Sequence, residues 1–248
     1  VASQRSAQAE QITVYPTQRR IRGMLEGEAV VDSRDALLVW EPGARIPQYA
    51  FPGTDVGAGL LAPGSPPADA ADRPASDWFS LQAHGRELSG AAWSYADPDL
   101  EGYVGFSWRA LDRWLEEDEE IHGHPRDPFH RVDAIPSSRQ VMVEIDGQVI
   151  ADSRRPVLLF ETGLPVRYYL PREDVRADLL RPSATHSFCP YKGVASYETV
   201  ALADQVHEDA FWFYPEPLPA VAAIAGRLAP YNERVELLVD GERLPRST

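Results

Sequence analysis

Apolar and polar residues alternate along most of the chain with the period of two that a half-buried β-strand requires. Val141, Val143 and Ile145 are separated by polar neighbours, an Asp146-Gly147 pair follows, and Val149 and Ala151 resume the alternation. This spacing predicts a β-hairpin closed by a two-residue turn. Residues 157–161, 166–170, 194–201, 211–214 and 235–239 read as further strands, and 171–180 as a short helix with proline in its first turn. One stretch follows the helical period instead. Trp108, Leu111, Trp114 and Leu115 recur at i, i+3, i+6 and i+7, and the acids Glu116, Glu117, Asp118, Glu119 and Glu120 follow. That predicts a helix with a docked apolar stripe and a solvated acidic end.

The pattern is written twice. GEAVVDSRDALLVWE at 27–41 matches GQVIADSRRPVLLFE at 147–161 at an offset of 120. At an offset of 119, YAFPGTDV at 49–56 lies on YYLPREDV at 168–175, and AAWSYADP at 91–98 on AFWFYPEP at 210–217. Internal similarity at a fixed offset marks diverged copies of one structural unit. The expected fold is therefore mainly β (α+β): two tandem small antiparallel β-domains with short helices and one linker helix. The expected boundaries are a tail at 1–19, a first β-domain at 20–106, a linker helix and His/Pro-rich loop at 107–138, and a second β-domain at 139–248.

Length and charge narrow the function classes. At roughly 150 residues per domain, 248 residues supply one or two cores without staples. The formal charge of −14 has the wrong sign for nucleic acid or anionic lipid, so neither is an expected partner. The single cysteine, Cys189, excludes an intramolecular disulfide and zinc knuckles built on CxxC pairs. The longest apolar runs, at 157–160 and 220–225, are far shorter than a membrane span, and the polar start lacks the order of a signal peptide. A cytoplasmic protein is expected. No GxxxxGK, GxGxxG, HExxH or GxSxG pattern occurs, so nucleotide hydrolysis, dinucleotide redox, zinc proteolysis and serine-hydrolase chemistry have no support.

The copies differ at one block. His186 to Gly193, HSFCPYKG, falls on PADAADRP in the first copy, where Ala70 replaces Cys189 and Arg73 replaces Lys192. The first-copy segment reads as a solvated loop, so a single chemical site is expected in the second copy. The tandem GxAVVDS and GxVIADS openings, LLFETGLPVRYYLP, CPYKGVASY and the Trp-x-Tyr-x-x-Pro segment together resemble the bacterial and fungal family known as domain of unknown function 427, in its two-copy actinobacterial form. The resemblance covers about residues 20–245. It implies compact, cupped antiparallel β-domains of the tent type, and it implies a fold more strongly than a reaction. The chain departs from the family pattern at His186, Glu198 and Pro230, where threonine, tryptophan and phenylalanine are expected.

Four side chains are candidates for chemistry. Cys189, three residues before an ammonium, is a potential nucleophile, with a small buried hydrophobe as the plainer reading. Lys192 is a potential base, Schiff-base former or carboxylate anchor, or else an ion-pair partner of Glu161 or Asp209. His186 suits proton transfer near neutrality, or is a surface residue. Glu161 ends a strand, where it either faces the site and pairs with Lys192 or only supports a turn. Tyr168, Tyr169, Tyr191, Tyr197, Trp212 and Tyr214 are candidates for an aromatic lining, or for core, and on the strand period only one of Tyr168 and Tyr169 faces the site. His122, His124 and His130 look metal-like at first sight, but Pro125 and Pro128 split them, so neither metal nor cofactor is expected. The leading expectation is a metal-independent enzyme acting on a small molecule. A non-catalytic ligand-binding module and a purely structural role for CPYKG are the rivals.

Overall fold

The computed structural model describes residues 11–70, 73–203 and 205–246. The chain divides after Asp127 into two units, each with its own strands and cores. Residues 1–10 of the expected tail, and Ala71 and Asp72 of the expected first-copy loop, lie outside the described residues.

In the second unit, Val141–Ile145 and Gln148–Ser153 form the predicted hairpin, with Asp146 at φ 51° and Gly147 at φ 76°. Two successive positive φ values make a type I′ turn, whose twist matches that of the flanking strands. Glu236–Val239 pairs with the other edge of Val141–Ile145 and turns back through Asp240-Gly241 into Glu242–Arg243. A second sheet holds Val157–Glu161 between Val132–Pro136 and Arg167–Tyr169, and a third runs in the order Leu180–Cys189, Gly193–Ala201, Val206–Phe213, Ala229–Pro230. The strand pairs are antiparallel.

The strand Val157–Glu161 is packed on both faces. Leu158 and Tyr168 join Val143, Phe211 and Leu237 in one core, while Val157, Leu159 and Tyr169 join Trp212, Tyr214 and Ile224 in another. A strand buried on both faces needs a continuous apolar run rather than alternation, which is why Val157, Leu158 and Leu159 break the period of two, while Phe160 beyond them is 40% exposed.

The first unit repeats this plan residue for residue in its opening. Ile21–Leu25 and Glu28–Ser33 pair with Ile21 opposite Ser33, as Val141 stands opposite Ser153, and a bulge follows the third residue in both copies. Leu37–Trp40 lies between Thr13–Pro16 and Gln48–Pro52. Here the pairing continues through Tyr103–Phe106, Arg86–Tyr95 and Ala75–Ala83 to Leu61–Pro63, giving one seven-stranded sheet. The two tandem β-domains expected from the sequence are thus present.

The helix expected from Trp108 onward is not. Trp108–Ala110 is one 3-10 turn, and Arg113–Glu116 and Glu119–Ile121 form a hairpin that pairs with Ile21–Leu25. This hairpin is the first unit's version of Glu236–Val239 and Glu242–Arg243, at an offset of 123, with Glu117 at φ 51° where Asp240 has 53°. Acidic residues favour a helix locally, yet tertiary packing decides: Trp114 lies opposite Gly23 and stacks on Trp108 and Phe51. A Cβ on Gly23 would come 2.4 Å from Leu111 Cδ1 and 2.9 Å from Trp114 Cζ3, so the glycine makes room for the larger ring. Residues 171–180 contain two 3-10 turns, Arg172–Asp174 and Ala177–Leu179, in place of one helix. The strand Thr13–Pro16 lies within the stretch expected as tail, and Val132–Pro136 within the stretch expected as linker. Among the described residues, no helix is long and apolar enough to cross a membrane.

Candidate functional site

Glu161 stands at the end of its strand, opposite Val132. The ladder is extended past that point by Thr162 N–H to Arg131 O at 3.0 Å and by Arg131 N–H to Thr162 Oγ1 at 2.9 Å. The extension brings His130 alongside, with its Nε2 3.0 Å from Glu161 Oε1. The other carboxylate oxygen accepts from Lys192 Nζ. Lys192 is held by the turn that joins Leu180–Cys189 to Gly193–Ala201, where its N–H bonds Cys189 O at 3.3 Å and its carbonyl accepts from Leu218 N–H at 3.0 Å. Tyr191, in the same turn, stacks on the His130 ring at 4.2 Å.

Burial alone would favour the neutral carboxyl at Glu161, and it is the largest influence there. The Lys192 ammonium and the His130 ring outweigh it together and hold the carboxyl below its ordinary value. An ionised carboxylate can only accept, so His130 Nε2 is the donor in this contact and Nδ1 faces away from the carboxylate. Side-chain exposures of 6% for Glu161, 11% for Lys192 and 17% for His130 place the carboxylate behind the two groups that reach the surface.

Five of the six aromatic candidates are core, and Tyr191, in the turn beside His130, is the exception. Tyr169, 0% exposed, accepts the Trp212 indole N–H at 2.9 Å and lies beside Tyr214. Burial raises both tyrosine hydroxyls far above their ordinary value, with Glu161 and Cys189 adding to the effect, so these groups are electrostatic neighbours. Tyr197 shares a 2.7 Å hydrogen bond with Ser187 and stacks on Tyr231. Tyr168 faces the other core, as the strand period requires of one of the two adjacent tyrosines.

The structure thus brings Lys192, Glu161, Tyr191 and Cys189 to one end of the domain, with Tyr169, Trp212, Tyr214 and Tyr197 packed behind. His186 does not join them. Along Leu180–Cys189 the side chains alternate, so His186 and Phe188 face outward while Ser187 and Cys189 face the other way. His186 Nδ1 is 3.3 Å from Ser196 Oγ. The histidine at the site is His130, from the segment read as a loop; the cue was its place two residues before the strand antiparallel to Val157–Glu161. Among the described residues, no group of three or more His, Cys, Asp or Glu side chains is arranged to hold a metal ion. Buried Glu198, a departure from the family pattern, is answered by Arg172 Nη1 at 2.8 Å, while Pro230 takes a two-residue edge strand beside Phe211.

The first unit keeps a related pair. Arg73 Nη1 is 3.0 Å from Glu41 Oε1, and its guanidinium lies 3.8 Å from the centre of the Trp93 ring. The end of the expected solvated loop is therefore anchored, and the charge pair exists in both copies; cysteine is what the first copy lacks. The electrostatic balance differs, since burial wins over Arg73 and raises the Glu41 carboxyl.

Two tandem antiparallel β-domains, each with a glutamate at the end of its fourth strand paired with a cation, define a duplicated β-module. The chain belongs to the domain of unknown function family DUF427, whose family model matches residues 13–117 and again 133–241. A comparison with curated proteins finds no match.

Proposed function

We propose that the second domain is an acid–base site for a small molecule, acting without a metal, in which Lys192 and His130 are the working groups and Glu161 holds both. The single observation that carries this reading is the nearly buried Glu161 carboxylate bonded at one oxygen to Lys192 and at the other to His130. Glu161 positions the Lys192 ammonium by pairing with it, which suits the lysine to hold a carboxylate or a developing oxyanion. It also fixes the His130 tautomer that leaves Nδ1 to take up a proton. Cys189, in the same turn, is the candidate nucleophile. The formal charge of −14 agrees with a small-molecule ligand in place of nucleic acid or a membrane.

A second reading, a ligand-binding module without turnover, is favoured by one fact: Lys192 is already paired, so it anchors an acidic group more readily than it acts as a base. Ligand-observed NMR against a panel of small carboxylic and carbonyl compounds tests both. Compounds that bind the wild type are expected to be lost with Lys192→Ala and with His130→Ala and retained with His186→Ala. Turnover of a bound compound separates the first reading from the second. Identical binding profiles for the wild type and a folded Lys192→Ala would overturn both.

A further inference from the structure

Among the described residues, seven buried side-chain atoms have no hydrogen-bond partner, and four of them lie together in the first domain: Glu41 Oε1, Arg73 Nη1, Trp93 Nε1 and Tyr95 Oη. Native interiors leave few such atoms, and a cluster of them calls for something that satisfies it. The grouping is real in space. Arg73 touches Glu41 and covers Trp93, the Trp93 and Tyr95 rings are 6.1 Å apart, and Glu41 and Arg73 both act electrostatically on the Tyr95 hydroxyl.

The second domain explains how the cluster arose. There, Trp212 donates to the Tyr169 hydroxyl. In the first domain, Ala50 pairs with Leu37 as Tyr169 pairs with Val157, so the oxygen that would accept the Trp93 N–H is missing. The Tyr95 hydroxyl lies close enough to the Trp93 N–H to act on it as a weak partner, but the two are not aligned as a good hydrogen bond, and each atom remains unsatisfied. The Glu41–Arg73 pair is close but not aligned as a hydrogen bond, since the same two atoms remain without one.

Three of the four groups are donors: an indole N–H, a phenol O–H and a guanidinium N–H. We propose that they form a second, separate binding site for a small carboxylate, whose oxygens take the place of the missing tyrosine oxygen and bond Trp93, Tyr95 and Arg73. Trp93 and Tyr95 are 1% and 5% exposed, so the oxygens are held in a low-dielectric setting where charge-assisted hydrogen bonds are strong. Arg73 and Glu41 are the partly exposed members and give the approach. Glu41 is the internal competitor, a carboxylate already beside the guanidinium. Acetate binding here does not depend on what Lys192 does.

The test is an acetate titration followed on the tryptophan indole N–H resonances, with chloride balancing ionic strength. The Trp93 resonance is assigned by its loss in Trp93→Phe, or by its proximity to Tyr95 protons if that variant does not fold. It should shift saturably in the wild type, with a dissociation constant in the millimolar range. Arg73→Gln should weaken binding at least about tenfold, and Glu41→Gln should tighten it, since the competing charge is removed. No saturable shift in the wild type up to about 100 mM, or an unchanged response in folded Arg73→Gln, overturns the proposal. If Arg73→Gln does not fold, Glu41→Gln decides alone: unchanged or weaker binding counts against it.

Discussion

The hydroxyl of Tyr169 accepts the indole N–H of Trp212 at 2.9 Å, deep in the core of the second domain. Removing that oxygen leaves a buried donor without a partner, which costs about 1–3 kcal/mol. Tyr169→Phe is therefore expected to lower stability by that amount in urea denaturation. Tyr168→Phe, on a less enclosed hydroxyl of the other core, should cost less. Equal losses would mean that the bond contributes nothing particular.

The two glutamates should respond to pH with opposite sign. Lys192 and His130 depress the Glu161 carboxyl, so its contribution is fully present above the ordinary carboxylate pKa and is lost as pH falls through the folded value. Glu161→Gln is expected to cost about 2–4 kcal/mol at pH 7, with the difference from wild type shrinking in acid. Burial raises the Glu41 carboxyl, so its charged form opposes folding above the folded pKa, and that penalty is relieved as pH falls. The wild type should gain on Glu41→Gln with acidification and lose on Glu161→Gln. Denaturant midpoints at pH 4 and pH 7 check both signs.

Much of this fold was legible because its signals are local. Asp146-Gly147 and the alternation around it specify a hairpin by turn geometry alone, and the constant offset reveals the duplication without any structure. Glu161 and Lys192 were readable as a candidate pair. What stayed hidden depends on long-range packing. The hairpin 113–121 is rich in helix-favouring acids, and only the seat of Trp114 against Gly23 makes it a strand. His130 reaches Glu161 through a ladder extended by Thr162 and Arg131, while His186, three residues before Cys189 and therefore on the opposite face of the strand, is turned outward. Nearness in sequence misled in one case and distance in the other.

The His130–Tyr191 stack gives a further expectation. Tyr191→Ala should release the His130 ring from its 4.2 Å stacking contact and broaden its proton signals, with a loss of stability below about 1.5 kcal/mol. His186→Ala should leave those signals unchanged. Histidine side-chain NMR spectra of the two variants check this directly, and a His130 signal indifferent to Tyr191→Ala would remove the stack from the account of the site.

The division after Asp127 can be tested with fragments. Residues 1–127 contain all the strands that pair within the first unit, including the hairpin that closes on Ile21–Leu25. Truncation at 106, the end of the domain when 108–120 is read as a linker helix, removes Trp114, Leu115 and Ile121, all buried. Losing a buried tryptophan costs about 3–5 kcal/mol and each large aliphatic about 2–5 kcal/mol, a total comparable to the 5–15 kcal/mol or so that keeps a typical domain folded. It would also uncover one edge of Ile21–Leu25. Fragment 1–127 should therefore melt cooperatively by circular dichroism and fragment 1–106 should not. A cooperative transition in the shorter fragment would show that the 113–121 hairpin is an appendage and that the first domain ends where the linker reading places it.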